Sequence, residues 1–309
     1  MAKFSSPAGS FVFSRTNREE GASVKELKQS RLASFLIITG IYVFAAFLGA
    51  FLYTTLPYDS WLDLLLADIA ATIFTYFFSV LFANASVYDP YWSVQPIVIV
   101  TGFALAYPLG TAQILLLAAV WIWGIRLTAN WALTFYGLEH QDWRYTMLQN
   151  STGAFYPVVN FLGIHLFPTL VVYACVLPAV FVIESGAQAT FFSYLFFAVS
   201  FGAAVLQFVS DHQMLAFRRQ KTGGLIRTGL WKYSRHPNYL GEILMWWGIA
   251  GQAVCVLPDS WWMILGATVN TLMFVFISIP MADRRQSAKP GYAEYAAETR
   301  MLLPFPRRS

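Results

Sequence analysis

The sequence predicts an all-α integral membrane protein, a bundle of seven or eight transmembrane helices. Composition, the spacing of apolar runs and the distribution of charge each point there. Of the 309 residues, 57% are hydrophobic, 17% aromatic and only 12% charged, where a soluble domain carries about 25% charged residues. A hydrocarbon core ~30 Å thick is crossed by roughly 20 apolar residues in a helix. Runs that suit such crossings lie at 32–56, 62–82, 94–107, 112–133, 158–183, 189–209, 239–257 and 261–281.

The elements follow in order. Residues 1–30 are polar and of mixed charge, which predicts a poorly ordered or surface-lying segment outside one membrane domain over 31–309. The first run stops at Pro57, and Asp63 suits the interfacial start of the second. The third is short, with Pro96 and Pro108 marking its ends, so seven spans remain if one run is re-entrant. Arg126 and Asn130 fall at the inner end of the fourth run, and Asp211 to Arg219 at the inner end of the sixth. Pro237 keeps residue 236 out of a helix and sets Asn238 and Tyr239 in the first turn of the seventh.

With both termini cytoplasmic, the outer connections are 57–61, 108–111, 184–188 and 258–260. None carries Lys or Arg, so all 20 cations fall on the other side, as the positive-inside rule requires. The net charge of +4 and pI near 9.0 are therefore a signal of topology, not of nucleic-acid binding. The Asn84-Ala85-Ser86 and Asn150-Ser151-Thr152 triplets fall on the predicted cytoplasmic side, where glycosylation does not occur. Cys175 and Cys255 lie within apolar runs, and the four histidines are scattered. No metal site or disulfide framework is expected. Neither a GxGxxG nor a Walker A loop is present, so a bound nucleotide would be held without a Rossmann unit.

Chemistry concentrates in four polar clusters. Asp211, Leu215 and Arg218 share a helix face, and Gln207 continues it one turn deeper. The segment 225–242, LIRTGLWKYSRHPNYLGE, brings Arg227, Tyr233, Arg235, His236, Asn238, Tyr239 and Glu242 to a helix start, where backbone N–H groups and arginines favour an anion. Glu242 stands four residues after Asn238, just inside the membrane, and intramembrane carboxylates are functional candidates. The tail supplies Asp283, Arg284, Arg285, Tyr292, Tyr295 and Arg300 before an apolar LLPFP hook. Its tyrosines suit stacking on a base and its arginines suit phosphates. Between the second and third runs lie Tyr88, Asp89, Tyr91 and Trp92. Desolvation against aromatic rings would raise the pKa of Asp89 and let it donate a hydrogen bond while neutral.

GLWKYSRHPNYLGE (229–242) resembles the signature of the steroid 5α-reductase superfamily, and KPGYAEY (289–295) with Thr299 and Pro304 fits the same family. The HPNYLG core is also similar to that of sterol C14 reductases. The resemblance is specific over 205–305, weak over 1–200, and closest to bacterial homologues. It implies NADPH-dependent reduction of a carbon–carbon double bond conjugated to a ketone, in a steroid-like lipophilic substrate taken from the membrane. The cofactor carries the redox step, and an acidic group stabilises charge developing on the carbonyl oxygen. Carried over by position, Asp211, Arg218, Asn238 and Glu242 contact the cofactor. Arg227, Tyr233, His236, Tyr239, Arg284, Tyr292, Tyr295 and Arg300 are its neighbours. The steroid enzymes use a Gln-Glu pair and a tyrosine on the carbonyl, and the first half of this chain has no Gln-Glu. Asp89 is the nearest counterpart, with Tyr91 the nearest hydroxyl. Trp123 stands where a tyrosine is expected, and Trp92, Trp123, Arg126 and Asn130 are the expected substrate contacts.

The resemblance places the protein in a bacterial inner membrane, with loops and tail capping the cofactor from the cytoplasm. Membrane methyltransferases of the isoprenylcysteine type also carry an RHPxYxG turn and bind S-adenosylmethionine there. They usually follow it with paired glutamates, whereas here the region reads Met281-Ala282-Asp283-Arg284-Arg285. A third alternative is a non-catalytic sterol or lipid binder.

Overall fold

The computed structural model describes residues 28–221 and 223–304. Most of the polar segment 1–30, and Phe305 and Pro306 of the apolar hook, lie outside the described residues. The described residues are all-helical apart from turns and one isolated parallel bridge, Ser234 with Arg300. Among them, seven helical stretches are long and apolar enough to cross a membrane: Arg31–Thr55, Ser60–Leu81, Thr111–Thr134, Trp143–Ser185, Phe191–Arg219, Pro237–Val256 and Pro258–Ser287. The protein is an integral membrane helical bundle. The predicted third run forms a helix too, Tyr91–Ala106, but its 16 residues rise only about 24 Å, short of a full crossing. The predicted fifth run is part of a longer stretch, 43 residues from Trp143 to Ser185.

The chain divides into two compact units. The first comprises the described residues of Met1–Asp89 with Leu133–Leu166, and the second Pro90–Ala132 with the described part of Phe167–Ser309.

In the first unit, α1 (Arg31–Thr55) begins where the Ser30 side chain accepts from the Ala33 N–H at 3.3 Å. The next helix, α2 (Ser60–Leu81), carries Asp63 in its first turn, and that carboxylate accepts from the Tyr58 N–H at 3.2 Å. Residues 84–89 leave α2 through a short 3-10 turn, Ala85–Tyr88. Asn84 is buried, and its amide donates to the Leu138 and His140 carbonyls at 2.6 and 3.2 Å. Buried polar groups are costly unless hydrogen-bonded, and these bonds fasten the 84–89 loop to the 138–142 loop.

In the second unit, α3 (Tyr91–Ala106), α4 (Thr111–Thr134), α7 (Phe167–Ser185), α8 (Phe191–Arg219) and α9 (Pro237–Val256) pack with α10 (Ile264–Met273), α11 (Ile279–Ser287) and α12 (Tyr292–Glu298). The intervening α5 (Trp143–Thr152) and α6 (Tyr156–Val159) belong to the first unit. The start of α8 is a capping box between Thr190 and Ser193. Its last turn carries Arg218 and Arg219, which complement the helix dipole. Proline opens α9 as its first residue. Two glycines let α9 approach α8 closely. A Cβ at Gly241 would lie 2.8 Å from the Ala203 carbonyl oxygen, and one at Gly248 would lie 3.0 Å from the Phe196 oxygen. Apolar helices in lipid gain from such backbone approach. Buried Gln113 and Gln252 are satisfied by carbonyls, Gln113 donating to Val182 and Ala187 and Gln252 to Ala112.

A candidate cofactor site

The second unit carries a polar network on α4, α8 and α9. Glu242 sits one turn inside α9, and its carboxylate is surrounded by neutral N–H donors. The Trp123 indole donates to Oε2 at 2.8 Å, the Gln207 amide to Oε2 at 2.5 Å, and the Trp246 indole to Oε1 at 3.0 Å. The two indoles pack edge to face, centroids 4.8 Å apart. One turn from Gln207 lies a second acid. Asp211 is four residues after Gln207 on α8 and holds the Arg126 guanidinium at 2.8 Å, the two side chains only 16% and 10% exposed. Asn238, one turn before Glu242, donates to the other Asp211 oxygen at 3.4 Å.

Within this network the hydrogen bonding is incomplete. The Gln207 Oε1 acceptor and the Arg126 Nε and Nη2 donors are buried and have no hydrogen-bond partner. Each such orphan costs about 1–3 kcal/mol. A primary amide offers both an acceptor oxygen and donor hydrogens, which match these two kinds of orphan.

The turn and tail form a clasp. Arg235 donates to Asp283 at 3.0 Å and to the Thr299 and Ala296 carbonyls at 2.9 and 3.1 Å, and its backbone N–H donates to the Arg300 carbonyl at 2.9 Å. The other Asp283 oxygen meets His236 Nε2 at 2.9 Å, and the His236 ring stacks on Tyr239. Arg227 donates to the Gly291 carbonyl at 2.5 Å and lies over the Tyr295 ring. Gly291 adopts φ +76°, a left-handed conformation, and a side chain there would run into Arg227. The buried Tyr295 hydroxyl donates to the Trp231 carbonyl at 2.6 Å.

Residues 75–299 match the family described as a protein of unknown function, DUF1295. The chain belongs to the DUF1295 family. Over 239 residues it is 25% identical to the uncharacterized protein C594.04c of the fission yeast Schizosaccharomyces pombe, a match covering 68% of this chain and 67% of the yeast protein. No solved structure matches.

The DUF1295 match takes in both acids and all but the last residue of the clasp, Arg300. Of the residues predicted from sequence, the structure gathers Trp123, Arg126, Asp211, Asn238 and Glu242 into one network. It holds Arg227, His236 and Tyr295 in the clasp, where their contacts fasten turn to tail, and Tyr239 stacks on His236. Burial first, then the hydrogen-bonded Asp283 carboxylate, raise the Tyr292 hydroxyl above its ordinary range. Arg218 and Arg284 are exposed, Tyr233 is 43% exposed, and Arg300 is half-buried with its Nε orphaned. Trp92 and Asn130 are half-buried on α3 and α4, and Tyr91 is buried at the start of α3. Arg235 and Arg227 are engaged in the clasp and form no ion pair with Glu242.

Lys289 joins the basic groups. Burial, then Arg285 and Arg218 close by, hold its ammonium below the ordinary range. Three cations near one another form an electrostatic seat for an anion.

Asp89 belongs to the first unit. Its Oδ1 accepts from the Tyr145 hydroxyl at 2.6 Å, and Arg144 lies 3.8 Å away. Burial outweighs Arg144, and with a contribution from Asp142 it lifts the carboxyl from 3.8 to about 6, in the direction the aromatic setting predicts. Sequence reading did not single out Trp246 or Tyr145. Trp246 stands one helical turn after Glu242, a usable signal. Tyr145 is 56 residues from Asp89, and nothing local links them.

Proposed function

We propose that this DUF1295 protein is an NADPH-dependent membrane reductase that saturates the double bond of a lipophilic enone, such as the C4–C5 bond of a 3-oxo-Δ4 steroid. The observation that carries the reading is the acidic pair Asp211 and Glu242, held by Arg126, Asn238, Trp123, Gln207 and Trp246, with amide-matching orphans on Gln207 and Arg126. The likeness of 229–242 to the 5α-reductase signature supports the same reading. NADPH, when bound, supplies the hydride.

In this reading Asn238 and Asp211 take ribose hydroxyls and Arg126 with Gln207 the carboxamide. Arg218, Arg285 and Lys289 take the phosphates, a role that a cationic sulfonium ligand such as S-adenosylmethionine would not fill. The clasp from Arg235 and His236 to Asp283 keeps turn and tail in register. The acid assigned to the substrate is Asp89: a carboxyl lifted to about 6 is protonated below that pH and in that form donates a hydrogen bond to a ketone oxygen. The β-carbon gains the hydride and the α-carbon a proton, so the enone becomes a saturated ketone. The reading includes a bacterial inner-membrane location with the nucleotide entering from the cytoplasm and the substrate from the bilayer.

A thermal-shift assay on detergent-solubilised protein tests this. NADPH is expected to raise the unfolding temperature, NADH less, and S-adenosylmethionine not at all. Stabilisation by S-adenosylmethionine alone overturns the reductase reading in favour of a methyltransferase.

A further inference from the structure

The first unit contains a second set of buried polar atoms that the proposed reaction does not use. Between α6 and α7 the chain adopts a π-helix, Asn160–Leu166, and such turns recur at functional sites. Asn160 is 5% exposed and its Oδ1 has no hydrogen-bond partner; the Tyr156 hydroxyl, one turn earlier, is likewise buried and unpartnered. Residues four apart on a helix are neighbours on one face. Facing this segment is α2. Its Tyr76 hydroxyl donates to the Pro157 carbonyl at 3.2 Å, and its ring packs on Phe161 and His165. Ser79, one turn along from Tyr76 and 1% exposed, leaves its Oγ unpartnered too. Tyr88 closes the wall, its ring 4.6 Å from that of His165. The outward side of the segment is apolar and open: Phe155, Val158 and Leu162 are 75%, 56% and 50% exposed.

Orphaned polar atoms in a membrane interior are costly, and here an acceptor and two hydroxyls are buried along one ring-walled segment whose outer side is apolar and exposed. The acceptor decides the chemistry. Asn160 Oδ1 requires a donor, which a bare ketone or ester cannot provide. We propose that this π-turn is a binding site for a hydroxyl-bearing apolar molecule that enters from the bilayer. Its O–H donates to Asn160 Oδ1 and its oxygen accepts from the Tyr156 hydroxyl or from Ser79, while the apolar body lies against Tyr76, Tyr88 and Phe161. The site goes beyond the reductase reading and stands on separate residues. The same hydroxyl chemistry could belong to the reaction's substrate or to a resident lipid.

The test uses the full-length protein in nanodiscs with a diazirine-bearing sterol that has a free hydroxyl, and its O-methyl ether, followed by peptide mapping. The free alcohol is expected to label 156–166 at least tenfold more than the ether. Tyr156→Phe, which removes one oxygen and keeps the ring, and Asn160→Leu are each expected to lower labelling at least fivefold. A cooperative unfolding transition and a monodisperse gel-filtration profile report that each variant is folded. Competition by an unlabelled hydroxylated enone identifies the occupant as substrate. A hydroxylated lipid that co-purifies with the protein and is lost in Tyr156→Phe identifies it as resident. Equal labelling by alcohol and ether, labelling unchanged in both variants, or a high-resolution map with water alone at Asn160 overturns the proposal. None of these results bears on NADPH affinity, so failure here and failure of the reductase reading are told apart.

Discussion

The Trp123 indole on α4 donates to the Glu242 carboxylate on α9 at 2.8 Å, two residues 119 positions apart in the chain. Glu242 receives two further N–H bonds, so the acid is solvated by protein in place of water. Replacing Trp123 with Phe removes one donor to a buried acid, which should cost about 1–3 kcal/mol. A lowered unfolding temperature and a roughly tenfold weaker NADPH affinity are expected. Unchanged values of both would show that the bond matters to neither folding nor binding.

Asp211 and Arg126 form a pair that is largely out of solvent. Removing one partner strands the other, at about 3–5 kcal/mol. Asp211→Ala should therefore be severely destabilised, and the double variant with Arg126→Leu should recover part of the loss. A double-mutant cycle measured by denaturant unfolding checks the coupling; strict additivity would deny it.

The Asp89 carboxyl titrates at about 6 in the folded protein and at the ordinary 3.8 when unfolded. Between those values the folded state holds more protons, so stability falls as pH rises from about 4 to about 6 and is level above. The drop is on the order of 3 kcal/mol. Asp89→Asn should flatten that part of the stability profile. On the proposed reaction the protonated form is the active one, so turnover declines as pH rises through about 6, and Asp89→Asn lowers turnover while sparing NADPH binding. A wild-type stability profile without this slope would count against a raised pKa.

Gly248 faces α8, where a Cβ would run into the Ser200 side chain and lie 3.0 Å from the Phe196 oxygen. Gly248→Val should push the helices apart and cost about 1–3 kcal/mol, seen as a lower unfolding temperature in detergent. Gly202, where an added Cβ would meet nothing within 4 Å, is the control: Gly202→Ala should be tolerated.

Lys289 lies near Arg218 and Arg285. Lys289→Gln should weaken NADPH binding at low salt by several-fold and leave the unfolding temperature nearly unchanged. The difference should shrink as ionic strength rises, because salt screens the attraction of this partly exposed cluster for an anion.

Helix and membrane class were plain in the sequence, since long apolar runs are a local property. The 229–242 turn, with Asn238 and Glu242 one helical turn apart, was equally local, as was the shared face of Asp211 and Gln207. The expectation that Tyr292, Tyr295 and Arg227 serve a bound nucleotide met a structure in which Arg227 and Tyr295 bind the turn to the tail. Their residue types suit either task, and only the folded chain shows which atoms are engaged.

By itself the sequence determined what depends on neighbours in the chain: the hydrophobic spans, their bounding prolines, the polar helix faces and the anion-favouring helix start. Only tertiary structure decided what depends on distant segments meeting. It gave Glu242 the indole of Trp123, Asp211 the guanidinium of Arg126, and Asp89 the hydroxyl of Tyr145. Periodicity says which face a residue occupies, but the partner on that face is chosen by helix packing, and packing is set where small residues such as Gly241 and Gly248 allow backbones to approach.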